Sequence, residues 1–156
     1  MKAAFEREGD APWPGASVEL LHQVLEETAR AFPDKEAVVQ GEERRPYAYV
    51  EASANRVAHA LLEAGMREGD RVGLLMPNSV PYVCSYFGIL KIGAVAVPIN
   101  NAISPEGLRY VIEDAGAKGL ILHPRIKAAR SDVLPGDAGT RVLPTDGDAS
   151  SLALFS

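Results

Sequence analysis

The chain has 156 residues, 47% of them apolar, with 14 glycines, 11 prolines and a formal net charge of −5. That size and composition fit about one soluble globular domain, and the acidic balance would repel a phosphate backbone, which excludes nucleic acid as a partner. Cys84 is the only cysteine, so an intrachain disulfide and a cysteine-based metal cluster are excluded, as suits a reducing cytoplasm.

Met1 to Trp13 mixes Lys2, Glu6, Arg7, Glu8 and Asp10 with few apolar residues, and so lacks the apolar centre of a signal peptide. Residues 1–16 are expected to be disordered or extended. From Ser17 to Phe32, Leu21, Val24, Leu25 and Phe32 recur at helical spacing, which predicts an amphipathic helix with Ser17 as N-cap and Glu19 in its first turn. Pro33-Asp34 ends it. Ala37-Val38-Val39, then Gly41 and Arg45-Pro46-Tyr47, predict a small hairpin.

A second helix is expected from about Tyr49 to Ala64, because Val50, Ala54, Val57, Ala58 and Leu61 share one face and Gly65 supplies the stop. Arg71 to Leu75 reads as a strand buried on both faces, the kind found in parallel sheets. Tyr82 to Ile92 is apolar on nearly every side, which predicts a helix surrounded by protein. Val80 to Ile99 is too interrupted for a membrane span, by Lys91, Gly88, Gly93, Pro81 and Pro98. Ala94 to Val97 reads as a second buried strand, and Ser104-Pro105-Glu106 opens a third helix with Ser at the N-cap and Pro at the first helical position. That helix ends near Gly116, and Gly119 to Leu122 is a third buried strand. The alternation predicts an α/β fold: a layered, mostly parallel sheet with helices on both faces. Beyond Pro124, Arg125 to Arg130 reads as a short basic helix and Arg141 to Leu143 as a last strand. Residues 17–130 are expected to form the α/β subdomain, and 131–156, rich in Asp, Gly, Pro, Ser and Ala, a connector.

In an open parallel sheet, ligands meet the loops at the carboxyl ends of strands. Three loops qualify: Pro77-Asn78-Ser79, Pro98 to Asn101, and His123-Pro124-Arg125. The plainer reading is that Asn78 and Ser79 cap the following helix and that Asn100 and Asn101 satisfy a turn. Neither phosphate-binding glycine motif occurs. His22, His59 and His123 are too scattered for a shared metal site, Ser79 and Ser104 sit where caps are wanted, and Cys84 reads as a small core residue. Residues alone stop at an α/β domain without visible catalytic groups.

Several strings, in order, resemble the N-terminal subdomain of the adenylate-forming (AMP-binding) superfamily of acyl-CoA synthetases, peptide-synthetase adenylation domains and luciferases. They are Pro33-Asp34-Lys35-Glu36-Ala37-Val38, Tyr47-Ala48-Tyr49-Val50 with Asn55-Arg56-Val57-Ala58, Gly69-Asp70-Arg71-Val72, and Met76-Pro77-Asn78-Ser79. The most specific is Leu90 to Asn100, similar to the family's Leu-Lys-Ala-Gly-x-x-x-Val-Pro-Leu-Asn core; Ser104-Pro105-Glu106 and Glu113 to Lys118 follow. Pro46 and Tyr49 depart from the usual Thr and Glu, and Asn101-Ala102 lacks glycines that some acetyl-CoA synthetases carry.

The resemblance implies the N-terminal fragment of an ATP-dependent acyl-CoA synthetase of fatty acid metabolism. Its parent would adenylate a small carboxylic acid with ATP and Mg, then pass the acyl group to the thiol of CoA. The phosphate loop, adenine site, Mg-binding Glu, ribose Asp and mobile Lys of the family lie downstream. The chain alone is therefore expected to bind no cofactor, to lack activity, and to have the C-terminal portion of the synthetase as its partner. Asn101 and Arg125 are the candidate CoA-side residues, Arg125 as a phosphate cation. The alternative is a free-standing partner-binding domain or one half of a split enzyme, with a face prone to self-association.

Overall fold

The computed structural model describes residues 19–123, 125–126 and 141–144. Helix α1 spans Leu21–Ala31, and strands β1 (Glu36–Gln40) and β2 (Glu43–Pro46) form the expected antiparallel hairpin. Helix α2 (Tyr47–Glu63), strand β3 (Arg71–Leu75), helix α3 (Val80–Lys91), strand β4 (Val95–Pro98), helix α4 (Pro105–Ala115) and strands β5 (Gly119–Leu122) and β6 (Arg141–Pro144) follow. The sheet runs β4-β3-β5-β6, and every pairing in it is parallel.

Chain order explains the layers. From β3 the chain steps outward to β4, then crosses back over β3 to reach β5. Right-handed crossovers in opposite directions place α3 and α4 on opposite faces. Side chains alternate accordingly. Val72, Leu74, Met76 and Ile121 pack with Val57, Leu61 and Ile89 of α2 and α3, whereas Leu75, Leu120 and Leu122 pack with Leu108 and Ile112 of α4. Leu74, Leu75, Leu120, Ile121 and Leu122 are fully buried, and each such side chain contributes about 1.5–3 kcal/mol of transfer free energy.

Helices α2 and α3 approach closely because Gly88 has no side chain: a Cβ there would stand 2.4 Å from Val57 Cγ1 and 3.0 Å from the Ala54 carbonyl oxygen. Every residue of α3 is at least partly buried, as expected of a helix surrounded by protein. Its Lys91, which interrupts the apolar run, has a side chain only 7% exposed and bonds Glu26 of α1 at 2.5 Å and Glu51 of α2 at 2.9 Å. The buried ammonium thus ties three helices together, satisfying the rule that buried charges are paired.

Three expectations need correction. Helix α1 begins at Leu21, with extended Leu20 at the cap position, so Glu19 precedes the helix. Gln23 Oε1 accepts from the N–H groups of Glu19 and Leu20, which secures the start from within; Ser17 lies outside the described residues. Helix α2 begins at Tyr47, two residues early: extended Pro46 has no N–H to satisfy, and the Tyr47 and Ala48 N–H groups go to the carbonyls of Lys35 and Pro33. Among the described residues, strand β4 is an edge strand with Val95 48% exposed. Val95 and Ile99 direct their N–H groups to Asp70 and Leu74, so Ala96 and Pro98 face outward. The expected disorder of residues 1–16 and the bulk of the 131–156 connector lie outside the described residues, as does the basic helix beyond Arg125 and Ile126, which are helical.

Candidate functional site at the carboxyl rim

At the amino end of the sheet, side chains are spent on one another. Asp70 Oδ2 accepts from the Arg67 N–H at 2.9 Å, and its Oδ1 receives Lys118 Nζ at 2.5 Å. The Lys118 bond, with the Arg67 N–H behind it, holds the Asp70 carboxyl below the usual aspartate value. Arg71 donates to the carbonyls of Ala115, Gly116 and Gly69 at 2.9, 3.0 and 3.4 Å, closing the negative end of α4. Gly93 turns α3 into β4 with φ +70°, where a Cβ would lie 2.9 Å from Glu68 Cγ.

The carboxyl end is built differently. Because β3 and β5 are neighbours and β4 lies outside β3, the strand order reverses between β3 and β5. The carboxyl ends at such a reversal are the usual ligand position in open α/β sheets. The loops that leave these ends are Pro77-Asn78-Ser79 after β3 and, among the described residues, His123 and Arg125 after β5.

Each predicted loop can now be placed. Ser79 caps α3, accepting from the Tyr82 N–H at 3.2 Å and donating to Pro77 O; Asn78 is exposed beside it. Asn100 Oδ1 accepts from the Ala102 N–H at 2.8 Å, and Ser104 caps α4 through Gly107. These are the capping and turn roles that the residue types suggest. Asn101 is exposed on the edge-strand turn and already engaged within the fold. Arg125 is exposed just beyond the end of β5. With β3 between their strands, the structure brings Arg125, but not Asn101, to the strand-order reversal.

Asn78 and His123 lie in two of the three loops that the sequence offers as ligand loops. His123 donates its N–H to Leu75 O at 3.2 Å and accepts the Arg125 N–H on Nδ1 at 3.2 Å. The sheet order separates these two loops from the third, and that order has no local signature in the sequence.

Other positions offer less chemistry. An open cavity of about 410 Å³ is lined by Glu26, Ala29, Arg30, Ala48, Glu51, Ala52 and Asn55 of α1 and α2, away from the rim. Its central charges are consumed by Lys91. Cys84 is fully buried and free, and burial pushes its thiol up to about 11, which makes it unreactive. Among the described residues, no three His, Cys, Asp or Glu side chains are grouped to hold a metal ion. No helix there is long and apolar enough to cross a membrane.

The family model for AMP-binding enzymes matches residues 25–153. The long-chain-fatty-acid–CoA ligase FadD13 of Mycobacterium tuberculosis is 37% identical over 135 residues, which are 83% of this chain and 27% of the relative. Surfactin synthase subunit 1 of Bacillus subtilis is 34% identical over 134 residues, 86% of this chain and 4% of that protein. The crystal structure of the N-terminal domain of FACL13 from Mycobacterium tuberculosis superposes with a TM-score of 0.76 at 33% identity, covering 83% of this chain and 35% of that one. The anthranilate CoA ligase AuaEII, in complex with anthranoyl-AMP, gives 0.72 at 29% identity, covering 89% and 26%. The chain thus spans about a quarter of the ligase relative. With the ordered motifs and the parallel sheet in agreement, the chain belongs to the AMP-binding enzyme family and covers its N-terminal subdomain.

Proposed function

We propose that this chain is the N-terminal structural portion of an ATP-dependent, AMP-forming acyl-CoA ligase acting on a fatty acid in the cytoplasm, and is inactive by itself. The observation that carries this reading is the likeness to the FACL13 N-terminal domain across 83% of the chain. CoA is favoured as the acceptor thiol because a CoA ligase shows higher identity than a peptide synthetase, 37% against 34%.

In the full enzyme a substrate carboxylate oxygen attacks the α-phosphorus of ATP and pyrophosphate leaves, giving an acyl-adenylate. A thiolate then displaces AMP at the acyl carbon. Both steps need positioned donors and cations around developing negative charge. The part this chain plays is to hold one wall of the site rigid. Asn101 and Arg125 are the residues proposed for the CoA side, Arg125 as the phosphate cation.

The test is hydroxamate formation from ATP, hydroxylamine and fatty acids of graded length. The 156-residue chain alone should give none, and co-production with the remaining portion of the ligase should restore it. Turnover by the chain alone would sink the scaffold reading.

A further inference from the structure

Helix α1 is thinly attached to the rest of the molecule. It has 11 residues, of which Leu25, Thr28 and Ala29 are buried, while Leu21 at its start is 54% exposed. Isolated helices below about 12–15 residues are marginal in water, so α1 depends on its docking. That docking is incomplete, because the open cavity of about 410 Å³ is lined by the last turns of α1 and the first turns of α2. Past its end the chain is fixed: the Ala48 N–H goes to Pro33 O and the Tyr47 N–H to Lys35 O, both at 3.0 Å. Phe32, between the helix and these bonds, is the natural pivot.

The charged tie between α1 and its neighbours is Glu26 to Lys91. Lys91 Nζ is shared between Glu26 Oε1 and Glu51 Oε1, and the second oxygen of Glu51, Oε2, is buried without a hydrogen-bond partner. A buried acceptor left open is costly. When Glu26 withdraws, Lys91 keeps Glu51, so no buried charge is orphaned, and the N–H that Glu26 releases is free to turn to Oε2. The docked state thus carries an unmet acceptor that undocking relieves. Leu25, next to Glu26, completes a buried cluster with Val50, Ala54, Val80 and Cys84. Cys84, Gly88 and Lys91 recur at helical spacing along α3, and Gly88 and Lys91 meet Ala54 and Glu51 of α2. Leu25 and Glu26 therefore cover two points of one stripe, the cluster that holds the thiol and the ammonium beyond it.

We propose that α1 is a detachable cover: it undocks as a unit about Phe32 while α2, α3 and the sheet stay folded, Lys91 passing wholly to Glu51 and the cluster around Cys84 opening to solvent. Elements with few buried contacts open in this way, below the free energy of global unfolding.

The single thiol reports the opening. An aromatic disulfide is added to the 156-residue chain in graded urea below the unfolding transition. In the open state the Cys84 thiolate attacks one sulfur of the reagent, a mixed disulfide forms and a coloured aromatic thiolate leaves. While α1 is docked, the burial that pushes the thiol up to about 11 keeps it silent. The free energy of opening should fall with urea less than about half as steeply as that of global unfolding, since one helix exposes little surface. Amide exchange over residues 21–31, read by mass, should follow the same shallow slope with β3 and β5 still protected. Glu26→Gln should speed labelling about tenfold, because a charge-assisted bond is lost from the docked state alone. Glu51→Gln should speed it distinctly less, the Lys91–Glu51 pair being kept on both sides of the opening. Glu27→Gln, one residue along the same helix, should leave the rate unchanged. Either probe on the steep global slope overturns the proposal, and the wild-type slopes need no variant to fold. Equal labelling of Glu26→Gln and Glu27→Gln overturns it as well.

Discussion

The two ends of the parallel sheet are made from similar residue types and put them to opposite use. At the amino end Asp70, Arg71, Lys118 and Arg67 bond one another or the carbonyls that close α4. At the carboxyl end Asn78 and Arg125 are exposed, and His123 keeps one ring nitrogen engaged within its own turn. One end spends its polar groups on holding the sheet together; the other holds a shape and leaves polar groups available. A charged residue near a strand end therefore means little until it is known which end it occupies.

The largest blow to this contrast should come from Arg71→Ala. It leaves the Ala115 and Gly116 carbonyls without their cation, and the expected cost is about 2 kcal/mol in urea unfolding with an unchanged slope. A loss under about 0.5 kcal/mol, the range of ordinary surface changes, would mean that the amino rim is not a clamp.

Asp70 should show its contribution through pH. Its folded carboxyl is held below the usual aspartate value, chiefly by Lys118, so the stabilisation is complete above about pH 4, the unfolded value. It is lost as pH falls through the lower folded value, where the native carboxylate takes up its proton. Asp70→Asn should flatten the fall of the thermal midpoint below about pH 4, where the unfolded carboxyl begins to take up its proton. Because the Lys118 side chain is 59% exposed, solvent screening keeps the effect small. Parallel curves for the two proteins would remove Asp70 from the clamp.

The smallest effect on stability is expected at the other rim. Asn78→Ala should change unfolding free energy by no more than about 0.5 kcal/mol, as for a surface residue outside any network. A large stability loss would show that the carboxyl rim, too, is structural.

Much of the fold was legible because its signals are local. The apolar runs of β3 and β5 announced burial on both faces, and Ser79 and Ser104 announced the helix starts they cap. The ordered strings from Pro33 to Lys118 led to the family that the comparison then showed. What was hidden depended on distant neighbours. Ala94 to Val97 is as apolar as a central strand, yet β4 lies at the edge, because the return over β3 is decided by the whole topology. For the same reason Asn101 and Arg125 looked equivalent as loop residues, whereas only Arg125 lies where the order reverses. Ser17 was a plausible cap by type, but the helix starts at Leu21 with Gln23 reaching back to its first donors.

Pro98 gives the edge strand a further consequence. The outward row of β4 can accept hydrogen bonds at Ala96 and Pro98 but can donate only from Ala96, since the Pro98 nitrogen carries no hydrogen. A foreign strand arriving there would find half of its carbonyls unanswered, which makes this border a poor template for growth. A single ring thus guards this side of the sheet against fibre formation.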